Sequence, residues 1–223
     1  MIYALNYANK VFQKAQKLNT RSAYRWGGVD RVIEFGPDDI DSTFREKNKN
    51  ILDAAKGNGY WLWKPYFIDK VFSEIKEGDW LIYSDSGGLY YQNKVVNFIK
   101  KWEEKEIYVV CQKTSYQESH YTKRDAFILM DLDVEEYANS PQRAGGVVCL
   151  KKNERNIQIV KEWLNYAQDE RVITDMPNTC GIDNYPGFIA HRHDQSIFSL
   201  LSKKYGIYTD DCLWIKFSEV NFF

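Results

Sequence analysis

Residues 59–88 read GYWLWKPYFIDKVFSEIKEGDWLIYSDSGG, and this stretch decides the fold. Pro65 falls in the first turn of a helix, where its missing N–H and fixed φ cost nothing. Phe67, Ile68, Val71, Phe72 and Ile75 then recur as one apolar helical stripe, which the turn at Gly78 closes. The run from Asp79 to Ser84 is short and dense in Trp, Leu, Ile and Tyr, which predicts a buried strand. It stops at Asp85-Ser86-Gly87-Gly88. An acid followed by small residues at the carboxyl end of a buried strand is where open α/β sheets place their ligands. The competing reading is an Asp that accepts hydrogen bonds only from the turn it starts.

On the amino-terminal side, Ile2 to Tyr7 predicts a strand. A helix is expected from Ala8-Asn9-Lys10 onward, with Val11, Phe12, Ala15 and Leu18 on its buried face. Arg31 to Phe35 is a second strand between Gly27-Gly28 and Gly36-Pro37, and a short helix is expected near Lys49 to Ala55. On the carboxyl side, Val95, Val96, Ile99 and Trp102 mark a helix and Ile107 to Cys111 a strand. Gln112 to Lys123 reads as a loop over the ligand edge of the sheet. Thr122 and Asp125 resemble a capping box for a helix over Ala126 to Met130. That places Asp131-Leu132-Asp133 at a helix end, as a structural rather than a metal-binding pair. Gly145 to Leu150 is a Gly-led strand, in which the glycines admit either a bulge or a close approach. Asn153 caps a helix through Leu164, and His193 or Asp194 opens a last helix to Lys204. Strands alternating with helices need crossover connections, so the chain is α/β: one domain with a mainly parallel sheet and helices on both faces.

Composition narrows the function. The 223 residues carry 30 basic and 31 acidic side chains, interspersed, with a formal charge of −1, which argues against a nucleic-acid surface. The four cysteines, at positions 111, 149, 180 and 212, form no C-x-x-C pair and are expected as free thiols. No basic leader with an apolar run and no span of eighteen apolar residues is present, so a cytoplasmic protein without a transmembrane segment is expected. Aromatic residues reach 16%, including seven Trp and sixteen Tyr, which suits both cores and sugar stacking.

Three segments, YWLWKPY from Tyr60, GDWLIYSDSG from Gly78 and HRHDQSIFSLL from His191, together resemble bacterial glycosyltransferases of the GT-A fold, of the kind that builds capsule and lipopolysaccharide. The resemblance covers most of the chain. It implies a nucleoside-diphosphate sugar donor, such as a UDP-sugar, a glycan or lipid-linked glycan acceptor, and Mn²⁺ or Mg²⁺ as cofactor. An enzyme of that kind works in the cytoplasm, where peripheral contact with the inner face of the membrane would meet a lipid-linked acceptor. In that fold the strand-end acid, here Asp85 with Ser86, touches donor and metal, and the first-strand loop, here Tyr7, Ala8 and Asn9, borders the nucleotide. Asp194-Gln195 is similar to the D-Q element that retaining enzymes such as glycogenin and the lipooligosaccharide galactosyltransferases place beside the anomeric carbon. The strand led by Gly145 and Gly146 resembles the small-residue N-A-G-V strand in which residues near the glycines meet the donor sugar or acceptor, although Gln142-Arg143-Ala144 stands here in place of its Asn, so the acceptor contacts are not carried over.

The sequence departs from the family in three places. Asp85-Ser86-Gly87 lacks the second acid of D-x-D, so metal binding there rests on one carboxylate with diphosphate oxygens and water, or on another residue. The H-x-x-G-x-x-K-P-W element is absent, which makes His193 the substitute metal ligand, and no Gly-rich phosphate loop occurs. Lys64, alone among the aromatics of Trp61-Leu62-Trp63, is expected either to pair with phosphate or to be an exposed first-turn lysine. Asp194 is the expected acid at the reacting carbon and Asp175 the second choice. A rival from another class stays open: a nucleotide- or carbohydrate-binding module of the same fold that has lost turnover.

Overall fold

The computed structural model describes residues 1–91, 95–210 and 215–217; Cys212 lies outside them. Strand β1 (Ile2–Tyr7) leads to helix α1 (Gln13–Ser22) and strand β2 (Arg31–Phe35). Helix α2 (Trp63–Glu74) and strand β3 (Trp80–Ser84) are the pair expected from residues 59–88, with Pro65 in the first helical turn. The chain then runs through β4 (Gly88–Tyr90), α3 (Val95–Glu104), β5 (Val109–Gln117), α4 (Arg124–Leu129), β6 (Pro141–Lys151), α5 (Glu154–Ala167), α6 (His193–Lys204), β7 (Tyr208–Thr209) and β8 (Ile215–Phe217). Shorter helical turns link these elements.

Among the described residues the main sheet has the order β2-β1-β3-β6-β5-β7, and β4 pairs with β8 separately. β2, β1 and β3 run parallel, β6 lies antiparallel between β3 and β5, and β7 follows β5. This is the expected α/β architecture with a mainly parallel sheet. β3 is buried along its whole length because both faces are covered. Leu81 and Tyr83 point into a core with α2, α5 and α6 (Phe67, Val71, Trp163, Phe198), while Trp80 and Ile82 point into a second core with Ile99 and Trp102 of α3. No helix among the described residues is long and apolar enough to cross a membrane.

The structure corrects the expected inner face of α1. Asn9 Oδ1 accepts hydrogen bonds from the N–H groups of Val11 and Phe12, and this turn delays the helix to Gln13. Val11, Phe12 and Leu18 are 69%, 47% and 46% exposed, and of the expected stripe only Ala15 is buried. The inner face is polar instead: Gln16, Asn19 and Ser22. Gln16 Nε2 donates to the carbonyl of Phe35 at 2.9 Å, and Ser22 Oγ accepts from the Tyr90 N–H at 3.1 Å. Asn19 Nδ2 donates to Ser84 Oγ at 3.0 Å and to the Gly88 carbonyl at 2.6 Å, while its Oδ1 accepts from Asn6 Nδ2 at 2.7 Å. A periodicity argument sees only apolar residues. Here the buried face satisfies the backbone of the turn after β3, which needs donors and acceptors.

Three other expectations change. The segment from Gln112 is not a loop: β5 continues, with irregular register, to Gln117 and then turns into a short helix at Glu118–Tyr121. Buried Glu118 anchors that turn through Lys203, Ser199, Thr122 and Gln142. Thr122 and Asp125 form no capping box, since Asp125 accepts from the N–H and Oγ1 of Thr179 and the N–H of Cys180, tying α4 to a distant loop. The helix expected to run to Ala55 stops at Leu52. Asp133 pairs with Arg124 at 2.8 Å and accepts from the Tyr185 hydroxyl, so it serves the structural role expected of it.

Replacing Asn19 with Leu would seem to mend the apolar face of α1, yet it removes both donors from a buried acceptor set. We expect Asn19→Leu to lower unfolding stability by about 2 kcal/mol or more. Urea titration checks this, and a midpoint equal to or above that of the unchanged chain would show that the Asn19 network contributes nothing.

Candidate functional site

The parallel strands β1 and β3 end at Tyr7 and Ser84, and the carboxyl edge of the sheet opens there. Two cavities meet at this edge. The first, about 380 Å³, is lined by Tyr7, Ala8, Asn9, Trp63, Ser86 and their neighbours. The second, about 310 Å³, is lined by Lys64, Gly146 and the run from His191 to Gln195. Trp61 and Asp85 belong to both.

Trp61 occupies that place through an unusual backbone. Gly57, Asn58, Gly59, Tyr60 and Trp61 all have positive φ, at 59°, 55°, 92°, 51° and 60°. Each non-glycine residue in this region costs on the order of 1 kcal/mol. Gly57 is required twice over, because a Cβ there would lie 2.3 Å from the Trp61 ring. Asn58 Nδ2 donates to the Tyr7 hydroxyl at 2.7 Å, and the Tyr7 ring stacks on Trp63 at 3.8 Å. The strained turn thus builds an aromatic wall along the first cavity.

Between the cavities sits a buried cation. Lys64 Nζ lies 2.6 Å from Asp194 Oδ2, 3.9 Å from Asp85 Oδ1 and 3.1 Å from the carbonyl of Gly145, and the residue is 3% exposed. It is neither of the alternatives expected, an exposed lysine or one free for phosphate, but the counter-ion of two acids. Burial pulls its pKa down, yet Asp194 and Asp85 outweigh that and hold it above the ordinary lysine value. Burial pushes the Asp194 carboxyl up to about 6, with Lys64 opposing and Asp85 adding to the rise. Asp85 is held differently. Its N–H donates to the Gly146 carbonyl at 2.9 Å, its Oδ1 accepts from the buried Tyr83 hydroxyl, and its side chain remains 45% exposed. Burial and the neighbouring carboxylate raise Tyr83 well above an ordinary tyrosine, so it stays a donor.

The other expected residues fall into clear places. Ser86 Oγ donates to the Tyr7 carbonyl, so it locks the β3 turn onto β1. Gln195 Oε1 accepts from the Gly145 N–H at 3.1 Å and its Nε2 donates to Gln142 Oε1 at 2.8 Å, which makes it a positioning residue between α6 and β6. A Cβ on Gly145 would come within 3.2 Å of the Gln195 Cβ, and the β5–β6 register shifts across the same stretch, between Cys111↔Val148 and Lys113↔Arg143, so a close approach and an irregular ladder coincide at that glycine. Asp175 pairs with Lys56 at 2.7 Å and faces His193 Nε2 at 3.9 Å, lining neither cavity. His193 stacks under Trp61, and its Nδ1 lies 2.8 Å from the Ile173 carbonyl. Sequence reasoning missed Tyr83, hidden in an apolar run, and Asn58, whose Gly-Asn-Gly setting announced a turn but not its contact with Tyr7.

The fit of a divalent cation can be tested on these groups. Among the described residues no three His, Cys, Asp or Glu side chains gather into a ligand set, and His193 and Asp85 do not form a preformed cage. Asp85 lines both cavities, and its Oδ1 is the oxygen engaged by Tyr83 and Lys64. With both acids ionised, Lys64 balances only one of them. Asp85, 45% exposed and lining both cavities, is the carboxylate of this cluster open enough to meet a hard cation, whereas Asp194 is buried against Lys64.

No protein-family model matches the chain, and neither does any curated protein. Solved structures do match in fold. The apo structure of the bifunctional glycosyltransferase WbbM aligns over 90% of this chain and 37% of that one, with a TM-score of 0.51 and 10% identity. A glycosyltransferase involved in glycosylation of the major capsid of PBCV-1 aligns over 94% of this chain and 81% of that one, at TM-score 0.49 and 12% identity. Mouse xyloside xylosyltransferase 1 gives 94% and 84%, at 0.46 and 10%. The likeness to WbbM is one of fold.

The buried pair yields a pH signature. The folded chain holds the Asp194 proton to about 6 where an ordinary aspartate releases it at 3.8, so ionising Asp194 costs folding free energy. Stability relative to Asp194→Asn should be highest below about pH 4, fall by roughly 2–3 kcal/mol through about pH 6, and level off beyond. Paired denaturant titrations across this window measure it. A difference independent of pH would mean that Asp194 keeps an ordinary carboxyl.

Proposed function

We propose that the chain is a glycosyltransferase that moves a sugar from a nucleoside-diphosphate donor, such as a UDP-sugar, to a hydroxyl of a glycan or lipid-linked glycan acceptor in polysaccharide synthesis. The observation that carries this reading is the Lys64–Asp194–Asp85 cluster at the partition between two cavities on the carboxyl edge of the sheet. Likeness of fold to WbbM supports it. In this reading the first cavity takes the nucleotide, with the stacked Tyr7 and Trp63 as its wall and Asn9 at its rim. The sugar crosses at Asp85 into the second cavity, toward Asp194.

A Mn²⁺ or Mg²⁺ ion held by Asp85 would neutralise charge on the leaving diphosphate. The chain's own residues do the positioning. Asp194 presents a buried carboxylate, fixed by Lys64, toward positive charge developing at the reacting carbon, and water is largely kept from this group. Lys64 holds Asp85 and Asp194 at one place and keeps Asp194 ionised at neutral pH. Gln195 and the close-packed Gly145 hold β6 against α6, so the cavity floor stays in register. A cytoplasmic site, with peripheral contact at the membrane for a lipid-linked acceptor, belongs to the same proposal.

Two variants test it. Asp85→Asn should retain the thermal midpoint yet lose about tenfold or more in affinity for UDP with Mn²⁺, by calorimetry, because an amide keeps the shape and loses the charge. Asp194→Asn should lower kcat by about a hundredfold while donor KM changes only a few-fold, the mark of an interaction made in the transition state. UDP released from a panel of UDP-sugars reports turnover without a known acceptor. UDP binding without any release from any donor would leave a binding module in place of an enzyme, and UDP binding unchanged in Asp85→Asn would move the site elsewhere.

A further inference from the structure

The second cavity is also lined by Arg192, which the proposed chemistry does not use. Its guanidinium carbon lies 4.1 Å from the ring centroid of Tyr116 and 4.2 Å from that of Tyr121, two rings whose centroids are 4.8 Å apart. The backbone at Arg192 is fixed as well, its N–H donating to the Tyr121 carbonyl at 3.1 Å and to Ser196 Oγ at 3.2 Å. Among the described residues no carboxylate pairs with Arg192. The neighbouring cations differ: Lys64 is bound to Asp194, Lys56 to Asp175, and buried Lys123 donates to the Met176 carbonyl at 2.9 Å. Tyr116 is itself 42% exposed.

A guanidinium lodged against two rings is restricted in advance while no acceptor among the described residues takes its N–H groups, which suits it to a carboxylate or phosphate. An exposed tyrosine beside it suits the apolar face of a sugar ring. We propose that Arg192, Tyr116 and Tyr121 form an acceptor subsite selective for a sugar bearing a negative group, a carboxylate or a phosphate ester. This deepens the glycosyl-transfer reading and rests on it. The donor diphosphate is not the anion concerned: the nucleotide cavity lies on the other side of Trp61 and Asp85, and Arg192 does not line it. Nucleotide, transferred sugar and charged acceptor then follow one another across the sheet edge.

The test uses the whole chain, alone and in the presence of UDP and Mn²⁺, titrated by NMR with methyl glucoside, methyl glucuronide and methyl glucoside 6-phosphate. At least one anionic probe should bind about tenfold more tightly than the neutral one, and the probe that does so identifies the group as carboxylate or phosphate. Arg192→Gln should erase the preference, Arg192→Lys should keep only part of it, and Tyr116→Ala should weaken it while Tyr116→Phe retains it. UDP affinity should stay within about twofold in all four variants. Equal binding of the three probes would overturn the proposal. So would an Arg192→Gln variant whose UDP affinity falls as far as its anion affinity, since the arginine would then serve the donor. Failure of the unchanged chain to bind UDP counts against the donor reading alone, because the probe preference is measured separately.

Discussion

A single ammonium group inside the sheet edge, Lys64 Nζ, joins the parts of the site. It touches carboxylates from α6 and from the turn after β3, and a carbonyl from β6. A charge at 3% exposure is tolerable only if paired, and the equally buried Asp194 carboxylate would be as costly alone, so Lys64 and Asp194 require one another, with the half-exposed Asp85 as a weaker third member. Removing either partner leaves an uncompensated charge. The constraint therefore fixes where α6 begins relative to β3, and with it the distance between the two cavities.

The rest of the edge is arranged around that point by hydrogen bonds rather than by apolar packing. Asn19 holds the turn after β3 from below, Ser86 ties it to β1, and the Asp85 N–H meets β6 at Gly146. Gln195 reaches β6 from α6 one residue earlier, at Gly145. These contacts work because β6 runs antiparallel beside β3 and brings its glycines past the carboxyl end of a parallel strand. Backbone strain from Gly57 to Trp61 is placed at the same edge, where it aims an indole across both cavities. Strain of this kind persists when its surroundings over-determine it, and here Asn58 and the His193 stack do so.

Several elements were legible without coordinates. β1, β2 and the helix-strand pair of residues 59–88 follow from alternation, a Pro in the first turn and Gly-bounded runs, all of which are local effects. The cap at Asn153, which accepts from the Asn156 N–H at 2.8 Å, was readable for the same reason. Misreadings arose where polar residues are buried or where a polar run is held in a ladder by its backbone. α1 presents Gln16, Asn19 and Ser22 inward, and Gln112 to Gln117 is strand although it lacks an apolar period. In α1 hydrogen-bond partners distant in sequence offset the burial of polar side chains, and in the second place backbone pairing with β6 holds residues that are themselves half-buried or exposed.

By itself the sequence determined the α/β class, the position of Asp85 at a strand end and the start of a helix at His193-Asp194, because hydrophobic period and end signals are short-range properties of the chain. Only the tertiary structure decided that Lys64 is a buried counter-ion, that Gln195 positions a strand, that Asp175 stands apart from the other acids, and that Arg192 lies against two tyrosine rings. Lys64 meets Gly145 across 81 residues of sequence. The pairing and desolvation that set a side chain's charge and role depend on neighbours brought in by the fold, and no local pattern encodes them.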